Sequence, residues 1–186
     1  DAVLPEHGLR LASGYDDSYH LTPARLLRNV LHLGYRGAII HYVGMSHYFR
    51  LHADMMVTGG VNAPCAAWHR SFAQAAAALG QDVIWSLSYE LFDAHCPADW
   101  KQRDADGAPA LTGWEPPSTL LSPAHAAAMA YLQRIACAFV AIGVEAELAP
   151  RFQVGEPWWW VRADGRPCLY DEAAVALFAP VAIPSV

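Results

Sequence analysis

Residues 63–90 read APCAAWHRSFAQAAAALGQDVIWSLSYE, and this stretch decides the fold. Its first part sets Trp68, Phe72, Ala75, Ala76 and Leu79 along one face at helical spacing. Gly80 then stands where a helix ends by turning left-handed. After a short link comes Val83-Ile84-Trp85-Ser86-Leu87-Ser88-Tyr89, an apolar run of strand length that reaches Glu90. A helix that returns at once to a mostly apolar strand is the repeating piece of a parallel β/α fold.

The same piece recurs on both sides. Upstream, residues 8–13 form a first short apolar run, closed by the loop Gly14-Tyr15-Asp16-Asp17. Thr22-Pro23 gives a cap followed by Pro at the first helical position, then Leu26, Leu27, Val30 and Leu31 at helical spacing up to Gly34. The second strand is expected over residues 38–43. Downstream, Ser122-Pro123 opens the longest helix, with Met129, Leu132, Ile135, Ala136, Phe139 and Val140 on its apolar side and Gly143 closing it. A fourth strand is expected over residues 151–154, and Asp171 caps a last short helix that ends before Pro180.

The order β-α-β-α-β-α-β-α predicts an α/β fold of parallel units. A closed barrel of this type takes eight strands and about 250 residues. The chain has 186 residues and four units, so residues 1–186 are expected to form a single partial TIM-barrel-like domain of a longer protein. It begins at Asp1 with no initiator Met and no leader-like segment, which fits the same expectation. An open doubly wound sheet is the alternative.

Composition narrows the partners. Net charge is −6 and no segment concentrates Lys and Arg, which argues against a nucleic-acid partner. No run of about 18 uninterrupted apolar residues exists, so no membrane span is expected. Cys65, Cys96, Cys137 and Cys168 show no CxxC pairing and read as free thiols. Nine histidines without HExxH or tight pairing give no metal site, and no glycine-rich phosphate loop follows a strand, so no cofactor is expected. No Ser lies in a G-x-S-x-G elbow, which disfavours acyl transfer.

The connections are unequal. Helix-to-strand links are short, as at residues 34–37 and 80–82, whereas strand-to-helix links over residues 44–62, 91–121 and 155–170 are long. In β/α folds the working face is built from the loops after the strands. Those loops carry Asp16 and Asp17, Glu90 with Asp93 close behind, and Glu156. Aromatics crowd the same places: Tyr15, Tyr19, Tyr48, Phe49, Trp100, Trp114, Trp158, Trp159 and Trp160. Carboxylates beside flat rings suit sugar chemistry, because rings stack on pyranose faces and two acids can share glycosidic bond cleavage. Glu156 and Glu90 are therefore the candidate catalytic pair. Tyr15, Asp16, His47, Trp100, Trp114, Trp158, Trp159 and Trp160 are the candidate substrate contacts. His41 and His47 flank the end of the second strand, where a hydrogen-bonded structural role is the simpler reading. The charged run 101–106 reads as a solvated loop.

Several segments together carry a resemblance. They include Tyr15-Asp16-Asp17-Ser18-Tyr19, Leu33-Gly34-Tyr35-Arg36-Gly37, residues 41–49 (HYVGMSHYF), Ser88-Tyr89-Glu90-Leu91-Phe92 and Pro97-Ala98-Asp99-Trp100-Lys101. Leu111-Thr112-Gly113-Trp114, residues 116–123 (PPSTLLSP) and residues 155–160 (GEPWWW) complete the set. Over roughly residues 8–180 the chain resembles the TIM-barrel domain of non-contractile tail sheath-type proteins of phages and prophages. The resemblance implies a glycosidase-like barrel inside a virion tail protein, with other tail proteins or the rest of its own polypeptide as partners. Gly155-Glu156-Pro157 is also similar to the Asn-Glu-Pro of retaining (β/α)₈ glycosidases, in which Glu is the acid/base. Gly155 departs from that Asn, and the nucleophile strand of that clan is absent. Three readings follow: a tail module that binds or trims surface glycan, a retaining glycoside hydrolase using Glu156, and a carbohydrate-binding module without chemistry.

Overall fold

The computed structural model describes residues 7–154 and 159–183. Its described residues group into two compact units, one within Asp1–Tyr48, Val61–Ser88 and Ala136–Gly155, the other within Phe49–Gly60, Tyr89–Ile135 and Glu156–Val186.

The first unit is built on a four-stranded sheet. Its strands are β1 (Leu11–Gly14), β2 (Ile39–Val43), β5 (Val83–Leu87) and β8 (Phe152–Val154), in spatial order β1-β2-β5-β8. Each neighbouring pair is parallel, and the registers align Leu11 with Ile39, Ile39 with Val83 and Trp85 with Phe152. This is an unclosed run of β/α units, a partial TIM-barrel-like fold, and the strand order follows the chain as the sequence predicted.

Helices α2 (Pro23–His32) and α4 (Ala63–Ala78) return the chain between these strands. Helix α2 starts at Pro23 as expected, although the Thr22 side chain makes no capping hydrogen bond. Asn62 caps α4 instead by accepting from the Cys65 N–H, and Gly80 ends it at φ +67. The buried stripe of α4 is Cys65, His69, Phe72, Ala73 and Ala76, one position off the face read from sequence. Burial alternates along β2, whereas β5 is buried at every position. Ile39, His41 and Val43 share a side with Val83, Trp85 and Leu87, and on that side Trp85 and His41 meet the rings of Phe72 and His69 from α4. The opposite side carries Ile40 and Tyr42 beside Ile84 and Ser86.

Helix α5 (Ala126–Glu145) contributes residues to both units. It is long and apolar enough to cross a membrane. Its buried residues, Ala128, Tyr131, Ile135, Phe139 and Ile142, recur at helical spacing, as in a core helix. The helix begins later than Ser122-Pro123 and runs past Gly143, which is not a stop. A Cβ at Gly143 would lie 2.9 Å from the Trp85 indole nitrogen, so glycine there lets the helix close onto β5.

The second unit is built from short antiparallel pieces. β3 (Arg50–Leu51) pairs with β4 (Val57–Thr58), and β6 (Glu90–Phe92) pairs with β7 (Ser118–Leu120). Glu90 therefore opens a separate strand opposite Leu120 instead of ending the third parallel strand. The run 101–106 is not a solvated loop. Gln102 and Asp104 are 1 % exposed, while Lys101 and Arg103, which alternate with them, are not buried, a pattern that belongs to an extended segment. Gln102 is tied to Leu120, Leu121, Ala110 and the Trp160 N–H. Asp104 accepts from the N–H groups of Asp106 and Ala108 and meets Arg162 at 2.6 Å. The last helix is α6 (Glu172–Phe178), capped by Asp171 as read.

Candidate functional site

Two one-turn helices sit directly after the first two parallel strands: α1 (Tyr15–Ser18) after β1 and α3 (Met45–Tyr48) after β2. Both lie at the strand ends where β/α folds place their ligands. The Asp16 carboxylate joins them. It accepts the Gly44 N–H at 3.0 Å and lies 3.3 Å from Nδ1 of His47. A Cβ at Gly44 would collide with this carboxylate, so the approach requires glycine. Below them, the Met45 N–H donates to Ser88 Oγ at 2.8 Å, which brings in the segment after β5. Asn62 Nδ2 donates to the His47 carbonyl, fixing α3 to the start of α4.

Burial pushes the Asp16 pKa up, and Asp17 adds to this; the Gly44 N–H and His47 offset part of the rise. A half-buried carboxyl beside a half-exposed imidazole can accept or hand over a proton at the surface. Aromatic rings surround the pair. Tyr15 is buried, with its ring 6.2 Å from His47 and 5.1 Å from Trp68, and burial raises its hydroxyl to about 12. Tyr19 is 55 % exposed with its ring 6.2 Å from His47, so it offers an open face beside the pair.

Tyr15, Asp16 and His47 are thus brought together. The other described candidates belong to the second unit. Trp100 lies against Tyr131 and His125. Trp114 is 50 % exposed and donates to Ser118 Oγ. Trp159 meets Phe178 edge-on, and Trp160 packs on the cluster of Ala110, Leu120 and Cys168. Glu90 is half-buried on β6. Glu156 and Trp158 lie outside the described residues. An open cavity of about 270 Å³ in the second unit is lined by Asp106, Arg166 and Tyr170, but Arg166 is engaged there by Asp106 and Asp164. Among the described residues no group of three or more His, Cys, Asp or Glu is placed to hold a metal.

A match to a known family adds to this geometry: the family model for the TIM barrel of non-contractile tail sheath proteins covers residues 5–186. The chain belongs to that family. The Asp16–His47 pair stands on the loops after the strands of this partial barrel.

Sequence reasoning missed two participants. Gly44 gave no sign of its role, because a close approach of 28 residues' separation has no local signature. The second is His69, which hydrogen-bonds to His41 inside the core at 3.2 Å. His69 follows Cys65 by four residues and precedes Phe72 by three, so the helical stripe could have disclosed its burial.

Proposed function

We propose that this chain is a partial-barrel domain of a virion tail protein that holds surface glycan with the loops after β1 and β2. Family membership supports the tail setting and association with other tail proteins or with further segments of its own polypeptide. The observation that carries the glycan reading is the Asp16–His47 pair beside the exposed Tyr19 ring. A carboxylate and an imidazole supply acceptor and donor for sugar hydroxyls, and the ring supplies a face for the C–H side of a pyranose. The two open sheet edges, β1 and β8, support the need for partner strands, since four strands do not close a barrel.

The test is binding to an array of bacterial surface polysaccharides, with Tyr19→Ala and Asp16→Asn beside the wild type. Retention of a glycan by the wild type, reduced about tenfold or more by either substitution, supports the reading. Equal retention by all three places glycan contact elsewhere. Cleavage of a retained glycan that is lost in Glu156→Gln would make the domain a glycoside hydrolase with Glu156 as acid/base.

A further inference from the structure

His41 and His69 are both fully buried, and they hydrogen-bond through their Nε2 atoms at 3.2 Å. Their outer nitrogens are also engaged. His69 Nδ1 donates to the Cys65 carbonyl at 2.7 Å, which leaves its Nε2 as an acceptor. His41 Nε2 must then donate, with its Nδ1 3.3 Å from Ser13 Oγ. The neutral pair therefore links β1, β2 and α4 by one continuous chain of hydrogen bonds.

We propose that this pair is an acid-responsive latch, which holds α4 against β1 and β2 when neutral and releases the Asp16–His47 loops when it takes up a proton.

Among the described residues, none of those facing the two rings carries a counter-charge for a proton. Ser13 from β1, Tyr15 from α1, Cys65, Trp68 and Phe72 from α4, Trp85 from β5 and Phe139 from α5 face the two rings. Tyr15 and Cys65 titrate only at about 12, so neither is an anion in acid. Asp16 is held by Gly44 and His47. One proton can sit on His41 Nδ1 if Ser13 turns its lone pair inward, but the charge is then fully desolvated; stacking on Trp68 and Phe72 offsets part of that cost. A second proton sets two N–H groups head-on at the same 3.2 Å.

Burial holds His41 well below 6.5 and brings His69 down to about 4. The sign follows. Above pH 6.5 neither the closed nor the opened state is protonated, and stability is full. As pH falls from 6.5 towards about 4, the opened state binds protons that the closed state excludes. The opening constant then rises about tenfold per pH unit for each histidine.

Amide hydrogen exchange on the whole chain, corrected for intrinsic rate, tests this between pH 7.5 and 5. Amides of α4 and β2 are expected to open at least tenfold more at pH 5 than at 6.5 in the wild type, and to change little in His41→Phe/His69→Leu. Equal acid response in both proteins overturns the proposal. Should the double variant not fold, ¹³C-histidine NMR of the wild type decides. Two imidazoles that stay neutral until the exchange rises support the latch; imidazoles that titrate near 6.5 in an intact fold overturn it.

Discussion

At the residue scale, Gly44 is held to glycine by the carboxylate of Asp16, and the contact reaches across 28 positions of chain. Gly44→Ala is expected to push the carboxylate off the backbone N–H, at a cost of about 1–3 kcal/mol. Calorimetry should show a fall in Tm of several degrees, with His47 no longer ordered against Asp16. Asp104 makes a second residue-level case. Burial alone would raise its pKa, but the Ala108 N–H, Arg162 and the Asp106 N–H outweigh this and hold it below the usual carboxylate range. Its contribution is present above about pH 4 and is lost as pH falls through its folded value. Asp104→Ala is therefore expected to cost about 1–3 kcal/mol at pH 7 and progressively less below pH 4, checked by denaturant unfolding at pH 7 and at acid pH. That Tyr15, Asp16 and His47 stand on the segments after the first two strands was legible in the sequence, from apolar runs that end just before them. The role of Gly44 and the pairing of His41 with His69 were not, since each depends on a partner 28 residues away in the chain.

At the element scale, the four parallel strands and their helices were legible from the change between period 3.6 and short apolar runs. The antiparallel part was not. The strand containing Glu90 follows β5 after only Ser88 and Tyr89, so periodicity merged two strands that pair with different neighbours. The run 101–106 misled for a related reason: its charges alternate with two buried polar groups, and only the partners Leu121, Trp160 and Arg162 reveal it. β8 has the least covered position of the sheet, with Phe152 39 % and Val154 62 % exposed. An apolar edge strand of this kind invites pairing. Hydroxyl-radical footprinting is expected to label Phe152 and Val154 in the isolated chain and to find them protected in assembled tails. Equal labelling in both states would mean that this edge is not where the barrel continues.

At the scale of the whole molecule, a parallel sheet of four strands carries a fold built for eight, and the loops after its first two strands hold a carboxylate–imidazole pair beside an exposed tyrosine. Composition argued against a nucleic-acid partner, with net charge −6, but could not show how the carboxylates are distributed between two compact units. Acid should act on the units in separate windows, from 6.5 downward through the histidine pair of the first and below about 4 through Asp104 of the second. The most direct test of the central claim is residue-resolved NMR shift mapping while surface polysaccharide fragments are titrated into the chain. The expected result is saturable shifts centred on the amides of Asp16, Tyr19, Gly44 and His47. Shifts confined to Trp114, Trp159 and Trp160, or no saturable shifts with any fragment, would contradict it.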